Sequence, residues 1–509
     1  MNILLSIVQF IGVLLLVVMV FNVLILVHEW GHYLAARWRG LKVEKFQIWF
    51  GKRLWSKEIN GVEYGLGSIP AGGFVALPQM APMEMLEGDT DETRKHLPPI
   101  KPLDKIIVAL AGPVFSFGLA CVFAAIVWVV GHPVSKTANS TVIGFVAEDS
   151  PAERAGLLPG DNILEVAGQP VKTFGGMVDS VTWSIISSEG DEVLFKVVRP
   201  GAGEMEILVD KEDSGLAKAG VEGESEGWLS RVLKRPKLRK VGIGPEVSPV
   251  IVEELRENGP AIEAGVRAGD EIMAFNGAKL YNAAALEQFA AGNPGVELTL
   301  TVLRDGAPLQ VVVTPRMPEK PGTIEQAEIG VRVYGTSGGP ETILIHPSVR
   351  VQISNTVRTM MNTIGAVASP GSDVSLRHLS GPVGIMDLYY RLFRSPDGWR
   401  LVLWFSVLLN VNLAILNMLP LPVLDGGHIT MALIEGATRR PINIKVLEFV
   451  QTACAILLIG FMLFVTVFDT GDILRRNHKE PPFREPEFLP SKSAQGESVF
   501  SLPGAAFLA

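Results

Sequence analysis

The sequence predicts a multi-span α-helical membrane protein with four transmembrane helices, a cytoplasmic membrane-associated β-hairpin or sheet, and two extracytoplasmic α+β domains. Three observations carry that prediction. Residues 3–27, 106–130, 401–424 and 449–468 are uncharged and apolar, and each has the length of about 20 residues that a bilayer crossing needs. Charged residues avoid these runs and crowd into the segments between them. The long central segment also repeats itself.

The first span, within 1–37, ends in His28-Glu29-Trp30-Gly31-His32. Met1-Asn2 leads directly into the apolar run without the basic start or small-residue cleavage site of a signal peptide, so the segment reads as a retained span. Ionisable groups are tolerated at membrane depth only when protein or a wet cavity satisfies them, which marks this cluster as a functional site. On a helix His28 and His32 share a face and can reach one metal ion, while Glu29 lies beside the first ligand as a candidate proton acceptor. An isolated histidine here would read as a core or snorkelling residue; two flanking a glutamate at this spacing favour a metal site.

The loop 38–103 and its flanks carry Arg37, Arg39, Lys42, Lys45, Lys52, Arg53, Lys57, Arg94, Lys95, Lys101 and Lys105, which places it in the cytoplasm. Arg439, Arg440 and Lys445 agree with that orientation, whereas Arg475-Arg476 runs against it. Counting from Arg37, His28 lies roughly 13 Å below the cytoplasmic surface at about 1.5 Å per helical residue. Within the loop, residues 62–77 alternate apolar and small residues around a Pro70-Ala71-Gly72-Gly73 turn, a hairpin signal. Gly72, Gly73 and Phe74 are candidate substrate-binding residues, since an exposed sheet edge can add an extended peptide; a plain hairpin on the membrane face is the alternative.

A second span (104–131) leads to the repeat: Ser150-Pro151-Ala152-Glu153-Arg154-Ala155-Gly156 through Gly160-Asp161 is echoed by Gly259-Pro260-Ala261-Ile262-Glu263-Ala264-Gly265 through Gly269-Asp270. The pattern resembles tandem PDZ domains, at 138–211 and 238–316, joined by a polar connector (212–237). Each could bind a peptide by strand addition or act as a bulky filter. A linker with a membrane-surface helix (317–399), a third span (400–435), a fourth (446–468) and a flexible tail (469–509) complete the chain.

A catalytic zinc takes three protein ligands, so the two histidines need a partner. Asp425 is the candidate. It follows Asn417-Met418-Leu419-Pro420-Leu421-Pro422-Val423-Leu424, where the prolines break the third span, and it precedes Gly426-Gly427. Asn412 and Asn417 are uncharged amides in that span, candidates for holding substrate or for interhelical hydrogen bonds.

Together the His28–His32 motif, Ala111-Gly112-Pro113-Val114-Phe115-Ser116, the PDZ-like repeats and the Asn417–Gly427 segment resemble the site-2 protease family (peptidase family M50), in particular its bacterial regulator-of-sigma-E protease group. The resemblance covers the chain to about Phe468. It implies a site-2 protease core in which His28, His32 and Asp425 bind Zn2+ and Glu29 is the general base, with Asn412 and Asn417 matching positions that hold substrate backbone or orient the site. It further implies a zinc metalloendopeptidase of the bacterial inner membrane with its active site towards the cytoplasm. The implied substrates are pre-trimmed single-span proteins, namely anti-sigma factors and remnant signal peptides. The family usually has an asparagine where Ser116 stands, so an amide role there passes to a hydroxyl or is lost. It commonly has glycine where Trp49 precedes Phe50-Gly51.

Two other readings are weighed. A membrane-embedded protease acting on soluble segments would take a glutamate ligand from a soluble helix, which Asp425 argues against. A catalytically dead scaffold would be expected to have lost a ligand or Glu29, and none is lost. The net charge of −8 offers no basic face for nucleic acid, and the two cysteines, Cys121 and Cys454, sit in apolar runs as packing residues rather than a disulfide.

Overall fold

An apolar segment in lipid must satisfy its backbone polar groups internally, and helix α1 (Asn2–Trp38) runs unbroken through the first apolar stretch and on past His32. This architecture comes from a computed structural model that describes residues 2–80, 97, 100–213, 238–320, 325–333, 342–439, 444–479 and 487–488. After α1 the chain forms strands β1 (Lys45–Phe50), β2 (Trp55–Ile59), β3 (Val62–Leu66) and β4 (Ile69–Ala76) in one sheet of order β2-β3-β1-β4. The expected hairpin between β3 and β4 is not formed. Asn60-Gly61, both at positive φ, makes the tight turn joining β2 to β3, while β3 runs parallel to β1 and β4 pairs antiparallel with β1 on its other side. Residues 70–73 therefore lie within β4 and not in a turn. Gly72 has φ +77°, and a Cβ there would fall 2.0 Å from the Phe50 ring, so the glycine answers a close strand approach.

Helix α2 (Pro102–Val130) packs against α1, and β5 (His132–Ser135) leads from it into the first repeat unit. That unit comprises β6 (Ile143–Val146), α3 (Pro151–Ala155), β7 (Asn162–Val166), β8 (Gln169–Pro170), α4 (Val181–Ser187), β9 (Glu192–Arg199) and β10 (Gly203–Asp210). The pair β11 (Glu212–Asp213) and β12 (Arg239–Lys240) brackets the connector, whose residues 214–237 lie outside the described residues; β13 (Ile243–Pro245) then returns to pair with β6. The second unit repeats the plan with β14 (Val252–Leu255), α5 (Pro260–Glu263), β15 (Glu271–Phe275), β16 (Ala278–Lys279), α6 (Ala283–Gly292), β17 (Leu298–Arg304), β18 (Ala307–Val313) and β19 (Val331–Val333), and β19 pairs with β14.

The sequence boundaries of these domains need correction. Residues 243–245, assigned above to the second domain, complete the first, and residues 331–333, assigned to the linker, complete the second. The duplication extends to atoms. Arg199 forks onto Asp161 at 2.8 and 2.7 Å and onto the Gly156 carbonyl at 2.7 Å; Arg304 makes the same three bonds to Asp270 and Gly265 at the same distances. Each unit has its own apolar core, around Phe195 in the first and Leu298, Leu300 and Val302 in the second.

Strand β20 (Thr342–Ile345) returns to pair with β5 and leads into α7 (Val349–Ala368). Helix α7 packs on the spans, with Gln352 Nε2 donating to the Ala124 carbonyl of α2 at 2.9 Å. Helices α8 (Pro382–Arg394), α9 (Gly398–Asn417), α10 (Asp425–Thr438) and α11 (Ile444–Lys479) follow. Among the described residues α1, α2, α9 and α11 are the helices long and apolar enough to cross a membrane. The third span is thus shorter than 400–435: α9 stops at Asn417 because Pro420 and Pro422 cannot continue the backbone ladder, and a turn precedes α10. Helix α2 lies among α1, α9 and α10. The tail, expected to be flexible from 469, begins as helix, since α11 continues to Lys479, and beyond it Glu487 pairs with Lys320 of the second unit and Phe488 is buried there. Residues 480–486 and 489–509 lie outside the described residues.

Candidate metal centre

Helix α1 carries His28 and His32 on one face, and α2 crosses that face closely because small residues line the contact. A Cβ on Gly31 would fall 2.5 Å from the Ala111 carbonyl, and one on Gly112 would fall 2.2 Å from His32 Nε2. The turn after α9 brings the start of α10 to the same point. Gly426 and Gly427 permit it, since a Cβ at either would lie 2.2 Å or 2.1 Å from the carbonyls of Met418 and Leu421. Asp425, the first residue of α10, then faces both histidines.

The three side chains converge. His28 Nε2 and His32 Nε2 are 3.2 Å apart, and the Asp425 oxygens lie 3.3 Å from each. His32 Nδ1 is 2.8 Å from the Val108 carbonyl, which can only accept, so this nitrogen holds the proton and a neutral His32 turns a bare Nε2 lone pair inward. His28 Nδ1 lies 3.0 Å from Ser116 Oγ. Asp425 Oδ2 is buried, and among the described residues it has no hydrogen-bond partner beyond the facing His28 ring at 3.3 Å. With its Nδ1 proton on the Val108 carbonyl, His32 turns an Nε2 lone pair onto the Asp425 carboxylate at 3.3 Å, an arrangement that a cation at the centre would relieve. A tetrahedral zinc with bonds of about 2.0–2.1 Å sets its donors about 3.3–3.4 Å apart; the two Nε2 atoms are 3.2 Å apart, each meets a different Asp425 oxygen at 3.3 Å, and one donor atom from each residue lies within 4.8 Å of the others. The residues fit a zinc ion.

Around this triangle lies a cavity of about 220 Å³ lined by Glu29, Gly73, Phe74, Val75, Asn417, His428 and the three ligand candidates, among others. Strand β4 is the end strand of its sheet, and Gly73 runs beside Glu29: a Cβ there would sit 3.6 Å from Glu29 Cγ. Asn417 Nδ2 is 3.3 Å from His28 Nε2. Gly72 lies against Phe50 and does not line the cavity, and neither does Asn412, whose buried Oδ1 has no hydrogen-bond partner among the described residues.

The two departures from the family pattern acquire physical roles. Ser116 occupies a fully buried position on α2 and meets His28 Nδ1, so a hydroxyl contacts the ring from behind. The Trp49 indole N–H donates to Asn22 Oδ1 on α1, tying the sheet to the helix that carries the histidines. The sequence reading missed His428 and the Val108 carbonyl. His428 was visible as the residue one helical turn beyond Asp425, whereas a backbone acceptor leaves no signature in side-chain identity.

The model of peptidase family M50 matches residues 16–461. The chain belongs to peptidase family M50. It is 30% identical over 458 residues to the regulator of sigma E protease of Salmonella typhi, covering 87% of this chain and 95% of that protein. The regulator of sigma-E protease RseP of Escherichia coli (strain K12) is 30% identical over 463 residues with the same coverage. A Neisseria meningitidis protein named for zinc metalloprotease activity is 27% identical over 442 residues, covering 85% of this chain and 93% of its own. Among solved structures, a PDZ domain of an SdrC-like protein from Listeria monocytogenes aligns with 17% of this chain and 86% of its own, at 15% identity and a TM-score of 0.15. As a family M50 member the chain is a metalloprotease.

Proposed function

We propose that this M50 peptidase is an intramembrane zinc endopeptidase that cuts within or near the transmembrane segment of single-span proteins already shortened outside the membrane. Anti-sigma-factor-like proteins and remnant signal peptides are the proposed substrates, and envelope stress signalling by regulated intramembrane proteolysis the proposed setting. The observation that carries the reading is the triangle of His28, His32 and Asp425 donors between helices long and apolar enough to span a bilayer. A zinc ion held by these three would supply Lewis-acid polarisation of the scissile carbonyl and a water of lowered pKa.

The chain's own groups do the rest. Glu29, lining the same cavity, takes the proton of the attacking water and returns it to the departing amine. A membrane helix has its amides bonded internally, so the substrate must unwind before cleavage. The outer edge of β4 around Gly73, the end strand of its sheet among the described residues, offers backbone groups to the unwound segment, and Asn417 holds it beside His28. The sheet is cytoplasmic in this reading, and the two repeat units, PDZ-like, stand outside the inner membrane as peptide binders or as a size filter. The docking of Glu487-Phe488 on the second unit supports one shared side for the tail and that unit. The test is co-expression of a single-span substrate lacking its outer domain with the wild type and with Glu29→Gln: loss of cleavage is expected, and equal cleavage would sink the assignment. Zinc content should also fall in Asp425→Ala.

A further inference from the structure

The second repeat unit holds a piece of the chain that the proteolytic reading does not use. Phe488 is 4% exposed, although it lies beyond the last helix and outside the family match that ends at residue 461. Its ring sits under the Arg316 guanidinium, 5.4 Å from carbon to ring centroid, and against Gly330, where a methyl group would come within 3.3 Å of the ring. Asn258 Nδ2 donates to the Phe488 carbonyl at 3.3 Å. Glu487 pairs with Lys320 through both backbone bonds, at 3.0 and 3.2 Å, and its carboxylate meets Lys320 Nζ at 2.6 Å.

The receiving groups are set by the unit itself. Arg316 is held by Glu263 at 3.0 and 3.2 Å and by the Asn258 carbonyl, so its guanidinium is placed without help from the tail. The first unit is an internal control. There the equivalent ion pair joins Arg154 to Glu212 with the charges exchanged: Arg154 stands on the short helix where Glu263 stands, and Glu212 stands where Arg316 does, each pairing across to the last strands of its unit. A carboxylate in place of Arg316 offers no cation to an aromatic face. The site therefore belongs to the second unit alone.

We propose that this surface is a recognition site for an extended acidic–aromatic segment, and that Glu487-Phe488 occupies it in cis. Recognition has three parts: strand-like pairing along Lys320, a charge pair at the acidic residue, and a ring clamped between Arg316 and Gly330. Seven residues, 480–486, separate α11 from Glu487 and reach at most about 25 Å when extended, so the clip holds the second unit close to the end of that helix. A separate polypeptide carrying the same chemistry can take the site only by displacing the tail.

The experiment uses the full chain in detergent, a version ending after Lys479, and a fluorescent peptide of the sequence of residues 484–489 (Arg-Glu-Pro-Glu-Phe-Leu). A short tether gives an effective concentration of about 1 mM, so for an intrinsic Kd of about 0.1 mM the intact chain should bind free peptide about tenfold more weakly than the shortened one. Phe488→Ala in the intact chain should restore binding to the level of the shortened chain, and a peptide with alanine for the phenylalanine should not bind. Lys320 has a side chain 69% exposed, so Lys320→Glu tests the site without threatening the fold. It should abolish binding, and a peptide with lysine in place of Glu487 should recover it. Equal binding by intact and shortened chains, or binding that ignores the phenylalanine, would overturn the proposal.

Discussion

Replacing Ser116 by alanine tests whether the hydroxyl behind His28 is part of the metal centre. The side chain is fully buried, and its Oγ lies 3.0 Å from His28 Nδ1. Removing it leaves a polar ring nitrogen facing a void too small to admit water readily, which costs about 1–3 kcal/mol. It also frees the imidazole to rotate away from the donor triangle. Loss of such an outer partner typically weakens metal binding about 10- to 100-fold, or about 1.4–2.8 kcal/mol, and the two magnitudes agree. The assay is competition for zinc between the purified variant and a chelator of known affinity, with Asp425→Ala as the reference for a lost ligand. Ser116→Ala should fall between the wild type and that reference. Unchanged zinc affinity would refute the claim that the hydroxyl orients His28, and a loss equal to that of Asp425→Ala would show that the helix contact itself had collapsed.

Trp49→Phe keeps an aromatic ring but removes the N–H that reaches Asn22 on α1, so the β4 edge should lose its fixed height beside Glu29. KM for a membrane substrate should rise several-fold with zinc content and kcat little changed; a fall in kcat alone would contradict an edge-positioning role. Asp469 on α11 accepts from the Gly381 and Gly384 amides at 2.8 and 2.9 Å, capping α8 from another helix. Asp469→Ala should cost about 1 kcal/mol, read as roughly fivefold faster amide exchange at the start of α8, and unchanged protection there would count against it. In the second unit, hydrogen bonds from Arg304, and then the Arg267 amide, hold the Asp270 carboxyl below its usual range despite burial. Its folded pKa lies below the unfolded value of about 3.9, so its contribution is complete above that pH and is lost as pH falls through the folded value. Acid exchange of the β15 and β17 amides should therefore accelerate below about pH 4 in the wild type and lose that step in Asp270→Asn.

What was legible in the sequence follows from how far each signal reaches. The long apolar runs and the two histidines at helical spacing are local, and the helices stand where those signals put them. Asp425 stands out as a candidate because Pro420 and Pro422 stop a helix at a depth where few structures are allowed, and the fold brings it within 3.3 Å of both histidines. Strand pairing was not local in the same way. The alternation in residues 62–77 was real, but β4 crosses to the far side of β1, and the stronger turn signal, Asn60-Gly61, lay just upstream. The closing strands of the two repeat units were missed for a similar reason. Their shared pattern, Val241-Gly242-Ile243 and Ile329-Gly330-Val331, is short and lies far from the strands it pairs with.

The candidate metal centre shows why a ligand list understates the sequence such a site would require. Three donors from residues nearly four hundred positions apart meet within 4.8 Å of one another, and no flexible side chain bridges the gap; the backbones themselves must approach. That approach depends on Gly31 and Gly112 between α1 and α2 and on Gly426 and Gly427 under the turn after α9, each at a place where a Cβ would overlap a carbonyl or an imidazole. An alanine at Gly112 would remove no ligand and alter no charge, yet its methyl group would stand 2.2 Å from the nitrogen of His32 that faces the metal position. Overpacking of this kind costs about 1–3 kcal/mol when neighbours can move, and here the neighbours are two candidate ligands whose rings meet Val108 and Ser116 from behind. The helix that contributes no ligand is therefore the one that decides whether the other two can form a site.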